Sequence, residues 1–189
     1  MIQIRLLEAS DWQGLFNLVK EVDKDLVGMH SSTEELVDDW IHTIEMGVWE
    51  IYVAILPQEE IKKELNDKNK RVVRWKRLPN IPSGIVGVVT LYGDSSDEDI
   101  EQGEFDIGIT VAESFQRKGI GKELLLFVIE RGKEIGYERV TLWTRVDNIP
   151  MIKLAEKIGF RKGKSRIRDG YSWNQYILDV KEKKNEKEE

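Results

Sequence analysis

The chain has 189 residues, of which 40% are hydrophobic and 34% are charged, and its formal net charge is −6. This length and composition are typical of one globular domain, and no apolar run reaches the roughly 18 residues that a membrane span requires. Cysteine is absent, which excludes disulfides and thiol nucleophiles, and the acidic balance argues against binding nucleic acid through bulk charge.

Two further features bear on cofactors and location. The only histidines, His30 and His42, lie in the first quarter of the chain, so we expect neither a metal site nor a Ser-His-Asp triad. Residues 1–5 alternate like a strand and lack the charged-then-apolar layout of a signal peptide. We therefore expect a cytoplasmic protein that needs no metal.

The first part of the chain shows the periodicities of two helices between two strands. Apolar residues recur at helical spacing after Ser10, which is a candidate N-cap, and again after Ser32 or Thr33. Alternating, β-rich stretches flank the helices on both sides. The predicted elements are a strand at residues 2–7, a helix at 10–22, a second helix running to about residue 46 and a strand at 49–56.

Residues 58–82 are charged and irregular, which predicts an insertion in a hairpin with a short helix and a surface loop. Six of the ten residues from Lys68 to Arg77 are lysine or arginine, and Trp75 lies among them. A contact with RNA, phosphate or protein is one interpretation of this basic stretch. A solvated loop is the other, and the sequence leaves both open.

The second half of the chain predicts a meander followed by a β-α-β crossover. The predicted elements are strands at residues 84–92, 104–111, 139–146 and 171–180, with helices ending near 135 and spanning 149–158. This order predicts a mixed sheet in an α/β (α+β) fold, as a single domain over residues 1–180. Residues 181–189 are nearly all charged and are predicted to be disordered.

The most informative segment joins the strand at 104–111 to the helix that follows it. Residues 116–122 read QRKGIGK, so glycines leave backbone N–H groups unshielded where a helix N-terminus adds unpaired donors and a positive dipole end. Arg117, Lys118 and Lys122 add positive charge here in an otherwise acidic chain. Together these features predict a cradle for a pyrophosphate.

Two other phosphate-binding loops do not fit this segment. A Walker A loop requires serine or threonine after its lysine, whereas Glu123 follows Lys122. A Rossmann fingerprint requires a third glycine, where this chain has Leu124. On the loop alone, a tight turn at a helix start without any ligand remains equally open.

This loop and a second motif further along the chain resemble the signatures of the GNAT superfamily of N-acetyltransferases. The signature Gln/Arg-x-x-Gly-x-Gly/Ala after a strand matches residues 116–121, and a second signature matches Asn148, a short helix and the Gly-Phe at 159–160. The resemblance is specific over residues 104–161 and only architectural over 1–103. It implies a central mixed sheet flanked by helices, with two strands splayed at the coenzyme A site.

The resemblance implies acetyl-CoA as the co-substrate. The strand end is implied to pair with the pantetheine arm and the loop to hold the pyrophosphate. Asn148 is implied to contact the cofactor or to lock the splayed strand to the next helix, although a plain helix cap also explains it. The implied cofactor-binding residues are Ile109, Thr110, Val111, Gln116, Arg117, Lys118, Gly119, Ile120, Gly121, Lys122 and Asn148.

The implied reaction is direct attack of an acceptor amine on the thioester in a ternary complex, with a backbone N–H stabilising the oxyanion. The amine must first lose a proton, usually to a carboxylate that acts directly or through water. Asp106 is the first candidate base, because many family members carry an acidic residue there. Glu104, on the same face of the strand, is the second candidate, and either can instead be an exposed charge.

One position departs from the family pattern. Many members carry a tyrosine seven residues after the asparagine as general acid towards the leaving thiolate, and this chain has Ala155 there. Tyr171 and Tyr176 on the terminal strand are alternatives, or the thiolate, with a pKa of about 8.5, leaves unaided. A catalytically silent, coenzyme A-binding regulatory module is therefore the second functional hypothesis.

The acceptor amine is not identified by the sequence. In this family the first two helices and loops near the terminal strand select the acceptor, here roughly residues 11–47 and 162–173. Neither region distinguishes a small-molecule amine from a protein N-terminus or lysine. Homodimers are common in the superfamily, so a dimer is among our expectations. An interaction protein that uses the basic insertion is the third hypothesis.

Overall fold

The computed structural model describes residues 2–22, 32–47, 49–65, 84–93 and 101–181, which form seven strands and five α-helices. The strands are β1 (Gln3–Leu6), β2 (Glu50–Ile55), β3 (Ile85–Gly93), β4 (Glu104–Val111), β5 (Arg139–Arg145), β6 (Arg161–Arg168) and β7 (Tyr171–Asp179). The helices are α1 (Trp12–Lys20), α2 (Thr33–Glu45), α3 (Gln58–Leu65), α4 (Ile120–Ile135) and α5 (Ile149–Ile158).

The strands form one sheet in the order β1-β2-β3-β4-β5-β7-β6. β4 and β5 are parallel, whereas the pairs β1–β2, β5–β7 and β6–β7 are antiparallel. This confirms the predicted mixed sheet of an α/β fold. Among the described residues, no helix is both long enough and apolar enough to span a bilayer.

The described residues group into two compact units. The N-terminal unit comprises Met1–Thr90 and Ile109–Leu125, and the C-terminal unit comprises Leu91–Gly108 and Leu126–Glu189. The organisation of residues 1–180 as a single domain stays a prediction.

The insertion predicted at residues 58–82 is described only over its first part. Residues 58–65 form α3, which confirms the short helix. Residues 66–82, with the basic stretch at 68–77, lie outside the described residues, as does the predicted tail beyond Lys181.

Helices α1 and α2 pack against each other in the N-terminal unit. Leu15 and Val19 of α1 are fully buried, as is Val37 of α2, and Trp40 of α2 is only 6% exposed. Full burial of a large apolar side chain contributes about 1.5–3 kcal/mol, so this helix pair is a major part of the core of the unit.

The N-caps of these two helices differ from each other. Ser32 caps α2 as predicted, because Glu35 N donates to Ser32 Oγ at 3.2 Å and Ser32 N donates to a Glu35 carboxylate oxygen at 3.0 Å. The prediction of Ser10 as the cap of α1 is wrong, since Ser10 lies inside a short 3-10 turn that precedes the helix. The carboxylate of Asp11 instead accepts from Glu8 N at 3.0 Å.

Strand β6 in the C-terminal unit is not predicted by the sequence analysis. It is the last strand in the sheet order and most of its side chains are exposed, including Ile167 at 80%. An edge strand of this kind carries charge in place of apolar alternation, which removes the usual strand pattern. Asp169 and Gly170, with φ of 52° and 78°, form the left-handed turn that connects it to β7.

Candidate cofactor and active site

The segment at residues 116–122, called the cofactor loop below, follows β4 in the N-terminal unit. Ala112 N, just after β4, donates to Val86 O of β3 at 2.9 Å, and Phe115 is fully buried. The side-chain amide of Gln116 donates to Val111 O at 3.1 Å. Gln116 therefore holds the start of the cofactor loop against the end of β4.

Two residues of the cofactor loop have left-handed backbone. Arg117 has φ of 60° and Gly119 has φ of 89°. A left-handed non-glycine residue costs roughly 1 kcal/mol or more, and such residues concentrate where a ligand is bound. A Cβ built on Gly119 would meet nothing within 4 Å, so the backbone angle rather than crowding requires glycine there. The space beside Gly119 is open.

The cofactor loop runs directly into the first turn of α4. Glu123 N donates to Gly119 O at 3.0 Å, which is the first hydrogen bond of the helix. The N–H groups of Ile120, Gly121 and Lys122 precede that bond and have no acceptor within the helix. A 16-residue helix adds the positive end of its dipole at this position, so this turn can bind an anion.

The three cations of the cofactor loop are placed differently. Arg117 and Lys122 are exposed, whereas the ammonium of Lys118 lies 4.7 Å from the centre of the Phe115 ring. Two exposed cations, helix N–H groups without an acceptor in the helix and an open glycine are together suited to a diphosphate. The residues predicted to hold this group therefore fit it.

In the C-terminal unit, the register between β4 and β5 is short. It covers three pairs, from Glu104 opposite Arg139 to Asp106 opposite Thr141. By contrast, β5 pairs with β7 along its whole length, up to Arg145. Two strands can splay apart only where the pairing between them has stopped, and the short register of β4 and β5 meets this requirement.

The two candidate bases on β4 have different surroundings. Asp106 is half-buried, and its Oδ1 accepts a hydrogen bond from Thr141 Oγ1 at 2.7 Å. Glu104 is only 4% exposed. One of its carboxylate oxygens is paired with the guanidinium of Arg139, and the other accepts from Glu101 N at 3.2 Å. Both oxygens of Glu104 are therefore engaged within the protein.

Neither tyrosine of β7 lies close to Asp106 in the register. Thr141, opposite Asp106, is itself opposite Ile177 of β7. Tyr176 is next to Ile177 and so points to the other face of the sheet, where burial raises its pKa. Tyr171 shares the face of Asp106 but lies six residues along the strand, roughly 20 Å away.

Asn148 and Ala155 both belong to α5 and its cap. Asn148 Oδ1 accepts from Met151 N at 3.3 Å, so the asparagine caps the helix. Ala155 is fully buried. The position at which the family pattern led us to expect a phenol is therefore filled here by a methyl group inside the core of the C-terminal unit.

One titratable residue of the N-terminal unit was not singled out by the sequence analysis. Glu21 follows α1, and burial together with the nearby charge of Glu113 raises the pKa of its carboxyl. Within the described residues, Oε2 of Glu21 is buried without a hydrogen-bond partner. No local pattern reveals this, because Glu113 belongs to the turn after β4 and approaches only in the folded chain.

The fold agrees with that of the known proteins to which the chain is similar. Residues 33–160 match the model of the acetyltransferase (GNAT) family, and the chain belongs to that family. Two relatives from Bacillus subtilis (strain 168) are the uncharacterized N-acetyltransferase YvbK, 40% identical over 55 residues, and the SPbeta prophage-derived uncharacterized N-acetyltransferase YokL, 33% identical over 81 residues. These matches cover 29% and 42% of this chain, and 36% and 44% of the relatives, so the chain spans less than half the length of either.

Solved structures share the fold over nearly the whole chain. The putative acetyltransferase yncA from Salmonella typhimurium, solved with its cofactor acetyl-CoA, has a TM-score of 0.67 at 13% identity and covers 96% of this chain and 95% of its own. The ribosomal-protein-S18-alanine N-acetyltransferase from Escherichia coli has a TM-score of 0.66 at 15% identity, covering 98% of each chain. At such identities the similarity establishes the fold and leaves the acceptor open.

Proposed function

We propose that this protein is an acetyl-CoA-dependent N-acetyltransferase of the cytoplasm that acts on a primary amine. The observation that carries the proposal is the cofactor loop, where left-handed backbone at Arg117 and Gly119 precedes the first turn of α4. An anion-binding nest joined to a helix N-terminus favours a diphosphate ligand. Membership of the GNAT family supports acyl transfer from coenzyme A over other uses of a diphosphate.

The proposed cofactor contacts fall into two groups in the N-terminal unit. Backbone N–H groups from Arg117 to Lys122 bind the diphosphate, and the two exposed cations of the cofactor loop strengthen it. The backbone of Ile109–Val111 pairs with the pantetheine arm as an added strand. Acetyl-CoA, when bound, supplies the acetyl group as an activated thioester.

Asp106 is the proposed general base. A lysine-like amine has a pKa near 10.4, so about one molecule in 2,500 is neutral at pH 7, a deficit of roughly 4.6 kcal/mol. The hydrogen bond from Thr141 orients the carboxylate of Asp106. In the proposed reaction Asp106 accepts, directly or through water, the proton that the amine loses as its nitrogen attacks the acetyl carbonyl.

Glu104 is proposed to be structural, because both of its oxygens are engaged and its side chain is buried. A base must be accessible to the amine, and half-buried Asp106 is more accessible than Glu104, which is only 4% exposed. With Ala155 at the phenol position and both tyrosines of β7 remote from Asp106, the thiolate is proposed to leave without a protein acid.

A silent coenzyme A-binding module is the second candidate function, and buried Ala155 is the observation that favours it. The two functions differ in turnover. Release of free thiol from acetyl-CoA, measured across polyamines, amino acids, aminoglycosides and peptides, separates them. Binding of acetyl-CoA without amine-dependent thiol release for any of these acceptors would favour the silent module.

The primary test is a calorimetric titration of acetyl-CoA into the full chain and into the Gly119→Glu/Gly121→Glu variant. The two added carboxylates oppose the diphosphate, so binding should be lost. Glutamate at the left-handed position 119 also lowers the thermal midpoint, so binding is compared at a temperature at which circular dichroism shows the variant to be folded. Lys153→Glu, at an exposed site on α5, makes the same change in net charge and is the matched control. The proposal fails if the folded wild type does not bind, or if the control loses binding as completely as the loop variant.

A further inference from the structure

Gly87, the third residue of β3, lies directly against the first turns of α4. A Cβ built on Gly87 would lie 2.9 Å from Leu124 Cδ1, 3.2 Å from Thr110 O and 3.5 Å from Ile120 Cγ2. All four residues belong to the N-terminal unit. Ile120 and Leu124 are buried on the inner side of α4, so the helix rests on the strand at a position where the strand has no side chain.

Space, and not backbone conformation, accounts for glycine at this position. The φ of Gly87 lies outside the left-handed region, in contrast to that of Gly119. Any residue can adopt the backbone of Gly87, so a substitution there tests only the closeness of α4 to β3. At 2.9 Å either the side chain of Leu124 or the helix that carries it must shift, and Leu124 is fully buried, which leaves its side chain little room to move by itself. Thr110 O, a backbone atom at 3.2 Å, must also give by a few tenths of an ångström.

The same contact touches both parts of the proposed cofactor site. Thr110 O belongs to the strand segment proposed to hold the pantetheine arm, and Ile120 carries one of the N–H groups proposed to hold the diphosphate. From this geometry we infer that Gly87 is a positioning residue for acetyl-CoA, which sets the distance of the diphosphate donors from the end of β4. The inference rests on the proposed function.

The test is the Gly87→Ala variant of the full chain, with two ligands measured on the same sample. Acetyl-CoA contains the diphosphate, and acetyl-pantetheine does not. Moving α4 outward weakens the charge-assisted bonds to the diphosphate, so the Kd of acetyl-CoA should rise about tenfold, which is the effect of losing one such bond. The Kd of acetyl-pantetheine, followed by ligand-observed NMR, should change less than about twofold, because the 3.2 Å contact with Thr110 O requires the strand end to give by only a few tenths of an ångström.

The ratio of the two Kd values is the decisive quantity. Partial unfolding of the variant reduces both apparent affinities by the same factor, so the ratio reports only on the folded molecules. Gly163→Ala on β6 is the matched control, because a Cβ there would lie 2.8 Å from Ile177 Cδ1 in the C-terminal unit. It should lower the thermal midpoint and leave the ratio unchanged.

A second variant tests the steric cause. Leu124→Val removes both δ carbons and so relieves the shortest contact, and Gly87→Ala/Leu124→Val should recover most of the affinity for acetyl-CoA. An unchanged ratio in Gly87→Ala, or a ratio that the double variant does not restore, would overturn the inference. These outcomes differ from a failure of the proposed function, because in that case the wild-type protein itself would not bind acetyl-CoA.

Discussion

The cofactor loop of the N-terminal unit and the two carboxylates of β4 in the C-terminal unit are built in different ways. The loop relies on backbone: two left-handed residues, a glycine beside open space and the first turn of a helix. The carboxylates rely on side chains brought from β5, since Arg139 pairs with Glu104 and Thr141 orients Asp106. Consecutive residues specify the first arrangement, whereas the second exists only after two distant strands have paired.

This difference predicts that substitutions in the two regions separate binding from turnover. The largest effect is expected for Asp106→Asn, which keeps the shape and the hydrogen bond from Thr141 but cannot accept a proton. Turnover with any accepted amine should fall by about 10²–10⁴-fold. The Kd of acetyl-CoA, measured by calorimetry, should stay unchanged. A variant that retains turnover within a factor of a few would show that Asp106 is not the base.

Glu104→Gln is expected to affect stability instead. The change removes the charge that Arg139 pairs with, and the free energy of unfolding should fall by about 1–3 kcal/mol in urea titrations. Arg139 keeps Glu101 at 3.4 Å and Asp179 at 3.5 Å as further partners, which limits the loss. Turnover per folded molecule should match the wild type. A large loss of turnover without a loss of stability would instead place Glu104 in the chemistry.

A smaller effect is expected for Lys122→Ala in the cofactor loop. The ammonium is exposed, so its attraction to a diphosphate is screened by water and salt. The Kd of acetyl-CoA should rise about two- to fivefold, and the difference from wild type should shrink as salt is added. Lys153→Ala is the control. An effect independent of salt would contradict the electrostatic explanation.

The smallest effect is expected for Glu21→Gln and depends on pH. Burial and Glu113 raise the pKa of Glu21 in the folded state, so its charged form destabilises the fold as pH rises through that pKa. The neutral glutamine should therefore raise the thermal midpoint at pH 7. Near pH 4, below the unfolded pKa of about 4.3, wild type and variant should nearly coincide. An equal gain at both values would exclude this titration as the cause.

The same difference explains how much of the molecule the sequence predicts. Strand 104–111 and helix 149–158 have the predicted bounds, and the helix after the cofactor loop ends at residue 135 as predicted, because periodicity and turn chemistry are local. The edge strand at 161–168 was missed, since its charged residues carry no buried alternation. Ser10 was a wrong cap because the chain enters α1 through a 3-10 turn at Ala9–Asp11, and no side chain of the described residues caps the helix.

The candidate site shows the same contrast between features that are local in sequence and features that depend on strand pairing. The carboxylate face was predicted from strand alternation, and Asp106 and Glu104 do lie on one face. Their unequal surroundings depend on Arg139 and Thr141, whose register no local pattern reveals. The tight contact at Gly87 was also missed, because a glycine in a strand signals close approach only when its neighbour is known.

The burial of Ala155 limits which substitutions this position can accept. Its side chain is fully enclosed in the C-terminal unit, and a tyrosine there would have to find room for a whole phenol ring. Overfilling a packed interior by a few methylene groups already costs about 1–3 kcal/mol, so a ring would displace the helix that carries it. A tyrosine substituted here alone is therefore expected to destabilise the C-terminal unit. Any descendant that gains one must first enlarge the surrounding interior, and each of those steps must be tolerated by itself.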